Sequence, residues 1–198
     1  MTIKPDIWGP HFWTFFHMLS MRYPQNPTYA DQLMIIRLLN SINNVLPCHT
    51  CQDHYLQNIK STPISKNDLK TRDSVATWFI KFHNIVNTML KKPTADHSTT
   101  ITRLANYTQK DYIDCFTKVL GYITEVIKGN MDHEQYAGIK NFISCGLYFS
   151  GVKGINGDRL EFHDITTYKS IVKKLEVILY KGIQNPNTNA NVAVITKK

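Results

Sequence analysis

Apolar residues recur at helical spacing through most of the first half of the chain. In residues 29–45 they fall at Leu33, Ile36, Leu39 and Ile42, which is the three- to four-residue period of an amphipathic helix. The proline-rich stretch "YPQNPT" separates the first two apolar runs. Proline is tolerated in a first helical turn, so Pro10 and Pro47 are compatible with helix starts. This half is therefore predicted to form four helices: residues 7–23 with Pro10 in the first turn, residues 29–45, a third with Pro47 in its first turn, and residues 74–91.

The distal half of the chain also has helical periodicity, in three further segments. They cover about residues 109–128, 134–150 and 164–182. The Gly- and Asn-rich residues 150–163 are expected to form a loop with a short hairpin at Asn156-Gly157. We predict an all-α fold in two parts: a helical domain at residues 1–95, a linker at 96–108, and a mainly helical domain of unknown role at 109–198 that ends in a polar, frayed tail.

The net charge of +8 is spread evenly along the 198 residues. Residues 1–98 carry ten basic and six acidic side chains, and residues 99–198 carry thirteen and nine. Because no basic block stands out, the pattern favours a mildly basic surface over a face that binds nucleic acid. No stretch reaches the ~18–20 apolar residues of a membrane span. The first residues also lack the regions of a signal peptide, so we expect a soluble protein that is not secreted.

The stretch "LPCHTC" places two cysteines three residues apart at the start of a predicted helix. Such a pair can bind zinc, form a structural disulfide or act as a redox dithiol. The free N–H groups of a first helical turn would stabilise a thiolate at Cys48, which favours thiol–disulfide exchange. A zinc site would need Cys48, Cys51 and His54, with His17 or His83 as the fourth ligand, and this spacing is not a usual zinc pattern.

Aromatic and imidazole side chains form pairs on the other predicted helices. Trp13 and His17 are four residues apart, as are His83 and Asn87, so each pair shares a helical face. A single Trp or His on such a face is usually a core residue. Several of them beside a C-x-x-C indicate a site for a large planar heteroaromatic molecule.

Three motifs in order, "WGP..W...H.....YP", "LPCHTC..H" and "HN.VN..L.K", resemble the Erv/ALR family of FAD-linked sulfhydryl oxidases over residues 7–93. The resemblance implies a four-helix bundle that binds FAD, with Cys51 next to the flavin and Cys48 as the exposed cysteine that takes electrons from reduced protein thiols. It also implies oxygen as acceptor, hydrogen peroxide as product, a homodimer and, by analogy with viral members, an enzyme of a large DNA virus located in host cytoplasm or virion. The residues implied to contact FAD are Trp8, Trp13, His17, Tyr23, Cys51, His54, His83, Asn84, Asn87 and Lys91.

Two features depart from the pattern of the family. Ile80 stands where many members have a structural cysteine, and the chain has no second C-x-x-C to act as an electron shuttle. Cys115 and Cys145 lie in apolar helical runs, so we expect them to be buried and inert. Two other hypotheses stay open: a non-catalytic assembly protein that retains an oxidase-like fold, and a zinc-binding interaction module.

Overall fold

The computed structural model describes residues 3–184, and within this range the chain forms eight α-helices and two short 3₁₀ turns. An isolated β-bridge joins Asn130 to Asp164. The helices are α1 (Pro5–Arg22), α2 (Tyr29–Ser41), α3 (His49–Ser61), α4 (Arg72–Met89), α5 (His97–Leu104), α6 (Gln109–Ile123), α7 (His133–Phe149) and α8 (Ile165–Gln184), and the 3₁₀ turns are Ile42–Asn44 and Gly157–Arg159.

Side-chain caps set the start of most of these helices. The Thr28 hydroxyl accepts a hydrogen bond from the backbone N–H of Asp31, and the Asp31 carboxylate accepts one from the backbone N–H of Thr28. This reciprocal arrangement satisfies N–H groups that a first helical turn leaves unpaired. The same arrangement begins α4 and α6, and single Asp caps begin α5 and α7.

Helix α1 packs against four other helices of the described region. It packs along α4 on one side and α6 on another, with further contacts to α5 and α7. Helix α2 packs along α7, and α8 packs on α6. One continuous apolar core therefore runs from the first helices into the distal ones, and it contains Phe15 and Phe16 of α1 together with Phe116 and Phe142.

Gly138 lets α7 approach the turn that leads into the C-x-x-C. A Cβ added at Gly138 would lie 2.5 Å from both Cβ and Cγ of Asn44, in the first 3₁₀ turn. No side chain fits at that separation, so glycine is needed for this contact. The distal half is thereby held directly against the segment that precedes Cys48.

The all-α class is confirmed, but two helices begin elsewhere than predicted. Helix α1 begins at Pro5, so Pro10 lies inside the helix, where its missing N–H removes one backbone hydrogen bond. Helix α3 begins at His49, so Pro47 is outside the helix and Cys48 is its N-cap. The placement of Pro10 and of Pro47 in first turns was therefore wrong.

Two predictions for the irregular segments also need correction. Residues 97–104, predicted as linker, form α5, which packs on α4 and α1. No hairpin forms at Asn156-Gly157, where the chain instead makes the 3₁₀ turn Gly157–Arg159. The position of the domain boundary stays a prediction, and the frayed tail falls at residues 185–198, outside the described residues. None of the helices in residues 3–184 combines the length and apolar character needed to cross a membrane.

Candidate functional site

A disulfide joins Cys48 and Cys51 at the amino end of α3. The Cα atoms are 5.1 Å apart, and Sγ of Cys48 accepts a hydrogen bond of 3.3 Å from the backbone N–H of Cys51. Nε2 of Gln52 donates to the carbonyl oxygen of Leu46 at 2.8 Å and holds the preceding loop against the helix. A thiolate released at Cys48 would accept the same N–H and lie at the positive end of the helix dipole.

A cavity of about 440 Å³ lies beside Cys51. Its wall comes from α1, α3 and α4, with contributions from the ends of α2 and α5. Most of the wall is aromatic or aliphatic, which is the composition of sites that hold a large planar ligand. The aromatic and imidazole residues in it are Trp8, Phe12, Trp13, Phe16, His17, His54, Tyr55, Phe79, Phe82 and His83.

Two buried imidazoles meet in this cavity. Nε2 of His17 lies 2.9 Å from Nδ1 of His83, and the His83 ring stacks on Trp13 with ring centres 4.0 Å apart. Burial, followed by the charges of His83 and Arg103, lowers the pKa of His17 to about 3, and burial followed by Arg103 lowers the pKa of His83 to about 4. Both rings are therefore neutral near pH 7. Nδ1 of His17 is buried and has no hydrogen-bond partner in the described region, so one polar position is left for a bound group.

Two cationic side chains reach the same cavity. Arg103 comes from α5, and Lys92 follows α4 and forms a 2.8 Å ion pair with Asp6. Arginine and lysine are the side chains that bind phosphate groups. Sequence reasoning missed Arg103 because residues 96–108 were interpreted as a linker, although Asp96 in front of Thr100 and Leu104 was a usable helix-start signal.

Seven of the ten residues predicted to contact the cofactor line this cavity, and three do not. Tyr23 is fully buried elsewhere and donates its hydroxyl to the carbonyl oxygen of Leu69 at 2.8 Å. Asn84 exchanges two hydrogen bonds with the backbone of Ala95, at 2.9 and 2.8 Å. Lys91 is exposed beyond α4 with a φ of 54°, while the next residue, Lys92, reaches the cavity. The residues brought together are Trp8, Trp13, His17, Cys51, His54, His83 and Asn87.

Cys48 lines a different space from Cys51. It opens on a polar cleft of about 320 Å³, bounded by the first 3₁₀ turn and α3 on one side and by residues 125–135 on the other. The disulfide therefore lies between an aromatic cavity and a polar cleft, with one cysteine lining each.

The other two cysteines are buried and free, as predicted. Sγ of Cys115 donates to the carbonyl oxygen of His11 at 3.3 Å, and Sγ of Cys145 to that of Met34 at 3.2 Å. Burial raises the pKa of each thiol to about 12, so both are protonated near pH 7. Across residues 3–184 no group of three or more His, Cys, Asp or Glu side chains has the geometry to hold a metal ion.

Comparison with known proteins identifies the family. Residues 10–109, just over half of the chain, match the sequence model of the Erv1/Alr family. The chain is 36% identical over 85 residues to R368 of Acanthamoeba polyphaga mimivirus, which covers 43% of this chain and 59% of that protein. It is 37% identical over 95 residues to 347L of Invertebrate iridescent virus 6, which covers 46% of this chain and 86% of that protein. Both relatives are named FAD-linked sulfhydryl oxidases.

A solved structure shows weaker likeness. The crystal structure of the yeast Erv1 core covers 54% of this chain and 88% of its own, with 23% sequence identity and a TM-score of 0.48. The assignment to the family therefore depends on the sequence match. The matched residues include the C-x-x-C, most of the helices that line the aromatic cavity, and α5. The chain belongs to the Erv1/Alr family.

Proposed function

We propose that this chain is an FAD-dependent thiol oxidase that forms disulfide bonds in protein substrates and passes the electrons to oxygen. One observation supports this more than any other: the Cys48–Cys51 disulfide separates an aromatic cavity from a polar cleft, and a different cysteine lines each space. A dithiol that takes electrons from a substrate and passes them to a cofactor needs access to both.

The residues of the cavity fit FAD. Trp8 and Trp13 supply aromatic surface for a planar ring system, and the neutral His17 supplies a buried nitrogen without a partner. Arg103 and Lys92 supply positive charge of the kind that a pyrophosphate group requires. Asn87, His54 and His83 line the same wall, and we assign them to the nucleotide part of the cofactor.

In the proposed reaction, thiol–disulfide exchange occurs at Cys48. A substrate thiolate attacks Sγ of Cys48, forms a mixed disulfide and breaks the bond to Cys51, which leaves as a thiolate. A second substrate thiolate then attacks the substrate sulfur of the mixed disulfide and releases Cys48. The substrate is now a disulfide, its two protons have gone to solvent, and two electrons reside on the cysteine pair.

The chain contributes placement and electrostatics to this exchange. The N–H of Cys51 and the start of α3 stabilise the Cys48 thiolate as it is released. The aromatic wall gives Cys51 a largely apolar neighbourhood on the side that faces the cavity. FAD, when bound in the aromatic cavity, supplies the two-electron acceptor that returns the pair to the disulfide and transfers the electrons to oxygen, giving hydrogen peroxide.

The visible absorption spectrum of the purified protein tests the proposal first. A flavin spectrum together with oxygen uptake in dithiothreitol is expected, and a colourless protein without oxygen uptake would refute the proposal in favour of a non-catalytic assembly role.

Single cysteine variants test the two roles separately. Cys48→Ser and Cys51→Ser should both abolish turnover. Only Cys48→Ser should show a long-wavelength charge-transfer band, since it leaves the Cys51 thiolate in the cavity without a disulfide partner. The reverse result, with the band only in Cys51→Ser, would exchange the assigned roles.

We also infer a homodimer located in host cytoplasm or the virion, in line with the viral relatives. Tyr29, Leu33 and Ile36 form an exposed apolar stripe on α2 that a second copy could cover. Sedimentation of the wild type against a Leu33→Glu variant tests the dimer: the variant should sediment as a monomer, and equal sedimentation of the two would contradict the role of this stripe.

A further inference from the structure

The polar cleft beside Cys48 is built from both halves of the chain. One wall consists of Asn43, Asn44 and the segment from Leu46 to Gln52, which carries the reactive cysteine. The other wall is the α6–α7 connection and the first turn of α7, within residues 125–135. These latter residues lie beyond residues 10–109, the part of the chain that matches the Erv1/Alr family.

The second wall is held in a defined position. Nε2 of Gln135 donates to the carbonyl oxygen of Val126 at 3.1 Å, which ties the α6–α7 connection to the start of α7. Asp132 caps α7 by accepting from the N–H of Gln135 at 2.8 Å. The close approach of Gly138 to Asn44 fixes α7 against the first wall. The width of the cleft at Cys48 is thus set by packing.

The cleft is acidic on a chain that is basic as a whole. Three acidic residues line it: Glu125, Asp132 and Glu134. Among the lining residues in the described part of the chain, Lys128 is the one lysine or arginine. In the described part of the chain, none of these four side chains forms an ion pair within 4.0 Å. A local excess of negative charge against a net charge of +8 attracts positively charged segments and repels negatively charged ones.

We propose that this cleft docks the thiol-bearing segment of a reduced protein substrate, and that its acidic wall selects segments whose cysteines are flanked by lysine or arginine. The proposal depends on the function proposed above, because it assigns the substrate side of the same disulfide. The docked segment presents its thiolate to Sγ of Cys48, and the exchange then proceeds as already balanced: two substrate thiols become one disulfide, two protons go to solvent, and the cysteine pair gains two electrons.

Charge reversal on the second wall tests this assignment. The variant Glu125→Lys/Glu134→Lys changes two exposed carboxylates and leaves both cysteines and the aromatic cavity in place. The matched control is Glu161→Lys/Glu176→Lys, which changes two exposed glutamates of the same half that line neither the cleft nor the cavity. Three substrates are compared at low ionic strength: dithiothreitol, a C-x-x-C peptide flanked by lysines, and the same peptide flanked by glutamates.

The proposal predicts a reversal of preference. Relative to the control pair, Glu125→Lys/Glu134→Lys should lower kcat/KM for the lysine-flanked peptide by about tenfold and raise it for the glutamate-flanked peptide, with added salt reducing both effects. Turnover of dithiothreitol, which is small and uncharged, should stay within about twofold. Equal changes for all three substrates, or the same changes in the control pair, would overturn the docking role. Failure of the wild type to oxidise dithiothreitol would instead refute the proposed function and this inference with it.

Discussion

Replacement of Gly138 by alanine tests how the distal half supports the reactive disulfide. The new Cβ would lie 2.5 Å from Cβ and Cγ of Asn44. The Cβ of Asn44 is bonded to the backbone and cannot rotate away, so either α7 or the 3₁₀ turn before Cys48 must shift. Gly121 in α6 provides a matched control, because a Cβ added there meets nothing within 4 Å.

The expected size of the effect follows from two opposing contributions. Gly→Ala within a helix stabilises by about 0.5–1 kcal/mol through backbone entropy, and this contribution acts at both positions. Overpacking a close contact costs about 1–3 kcal/mol, and it acts only at Gly138. The free energy of unfolding of Gly138→Ala should therefore be about 1–3 kcal/mol below that of Gly121→Ala. For a chain of this size the gap in Tm is about 2–12 °C.

Thermal and urea unfolding of the two variants in the same flavin state measure this difference. Turnover of a dithiol should also fall in Gly138→Ala and not in Gly121→Ala, because Asn44 directly precedes the loop that carries Cys48. If both variants unfold at the same temperature, the packing of α7 on Asn44 is wrong. If stability falls and turnover does not, the contact is structural and does not position the disulfide.

Three further predictions concern the buried thiols of Cys115 and Cys145, the pair His17 and His83, and the contribution of Arg103 to the cavity. The Cys115→Ala/Cys145→Ala variant should retain most turnover, and its free energy of unfolding should fall by about 1 kcal/mol, as expected for buried free thiols. Loss of a disulfide would instead lower it by about 2–5 kcal/mol. Selective loss of activity toward a protein substrate would contradict this prediction. The free energy of unfolding of the apo-protein should fall by about 1–2 kcal/mol per histidine between pH 6.5 and 5, because His17 and His83 stay neutral in the folded state while the unfolded chain gains protons below pH ~6.5. In urea unfolding, the His17→Gln/His83→Gln variant should lose most of this pH dependence of stability. An unchanged pH dependence would refute the prediction. His83→Ala and Arg103→Gln should each lose flavin in gel filtration while the apo-protein stays folded by circular dichroism, and stoichiometric flavin in both would contradict their assignment to the cavity.

The sequence allowed the helical class and most of the candidate site to be predicted, because helical period and motif order are local signals. Seven of the ten residues that the family resemblance implied as cofactor contacts line one cavity, and their role toward a cofactor stays a prediction. Helical spacing accounts for part of this grouping, because it places Trp13 with His17 and His83 with Asn87 on shared faces. The sequence could not show that Lys92 and not Lys91 lines the cavity, because this depends on the positive φ that Lys91 adopts just after α4. Whether a terminal residue follows the helix or turns away is decided by backbone geometry that periodicity does not encode.

Helix α5 was missed for a different physical reason. Its core is rich in threonine, which has low intrinsic helix propensity, so propensity favoured a linker. Tertiary contacts outweigh that preference: Thr100 and Leu104 are buried against α4 and α1, and Asp96 caps the first turn. Arg103 reaches the cavity only through this packing, so the missed helix also hid a cationic residue of the site.

The composition of α1 becomes understandable once both halves of the structure are considered together. A helix that packed against the aromatic cavity alone would need aromatic residues toward that cavity only, yet those of α1 also face the distal helices. Trp13 stacks on His83 at the cavity, whereas Phe15 stacks on Phe116 of α6 with ring centres 5.1 Å apart and also contacts Phe142 of α7. The same helix thus lines the cavity and also forms the surface on which α6 and α7 pack. Because packed aromatic surfaces transmit displacement, the position of α6 and α7 and the shape of the cavity next to Cys51 are mechanically linked through α1.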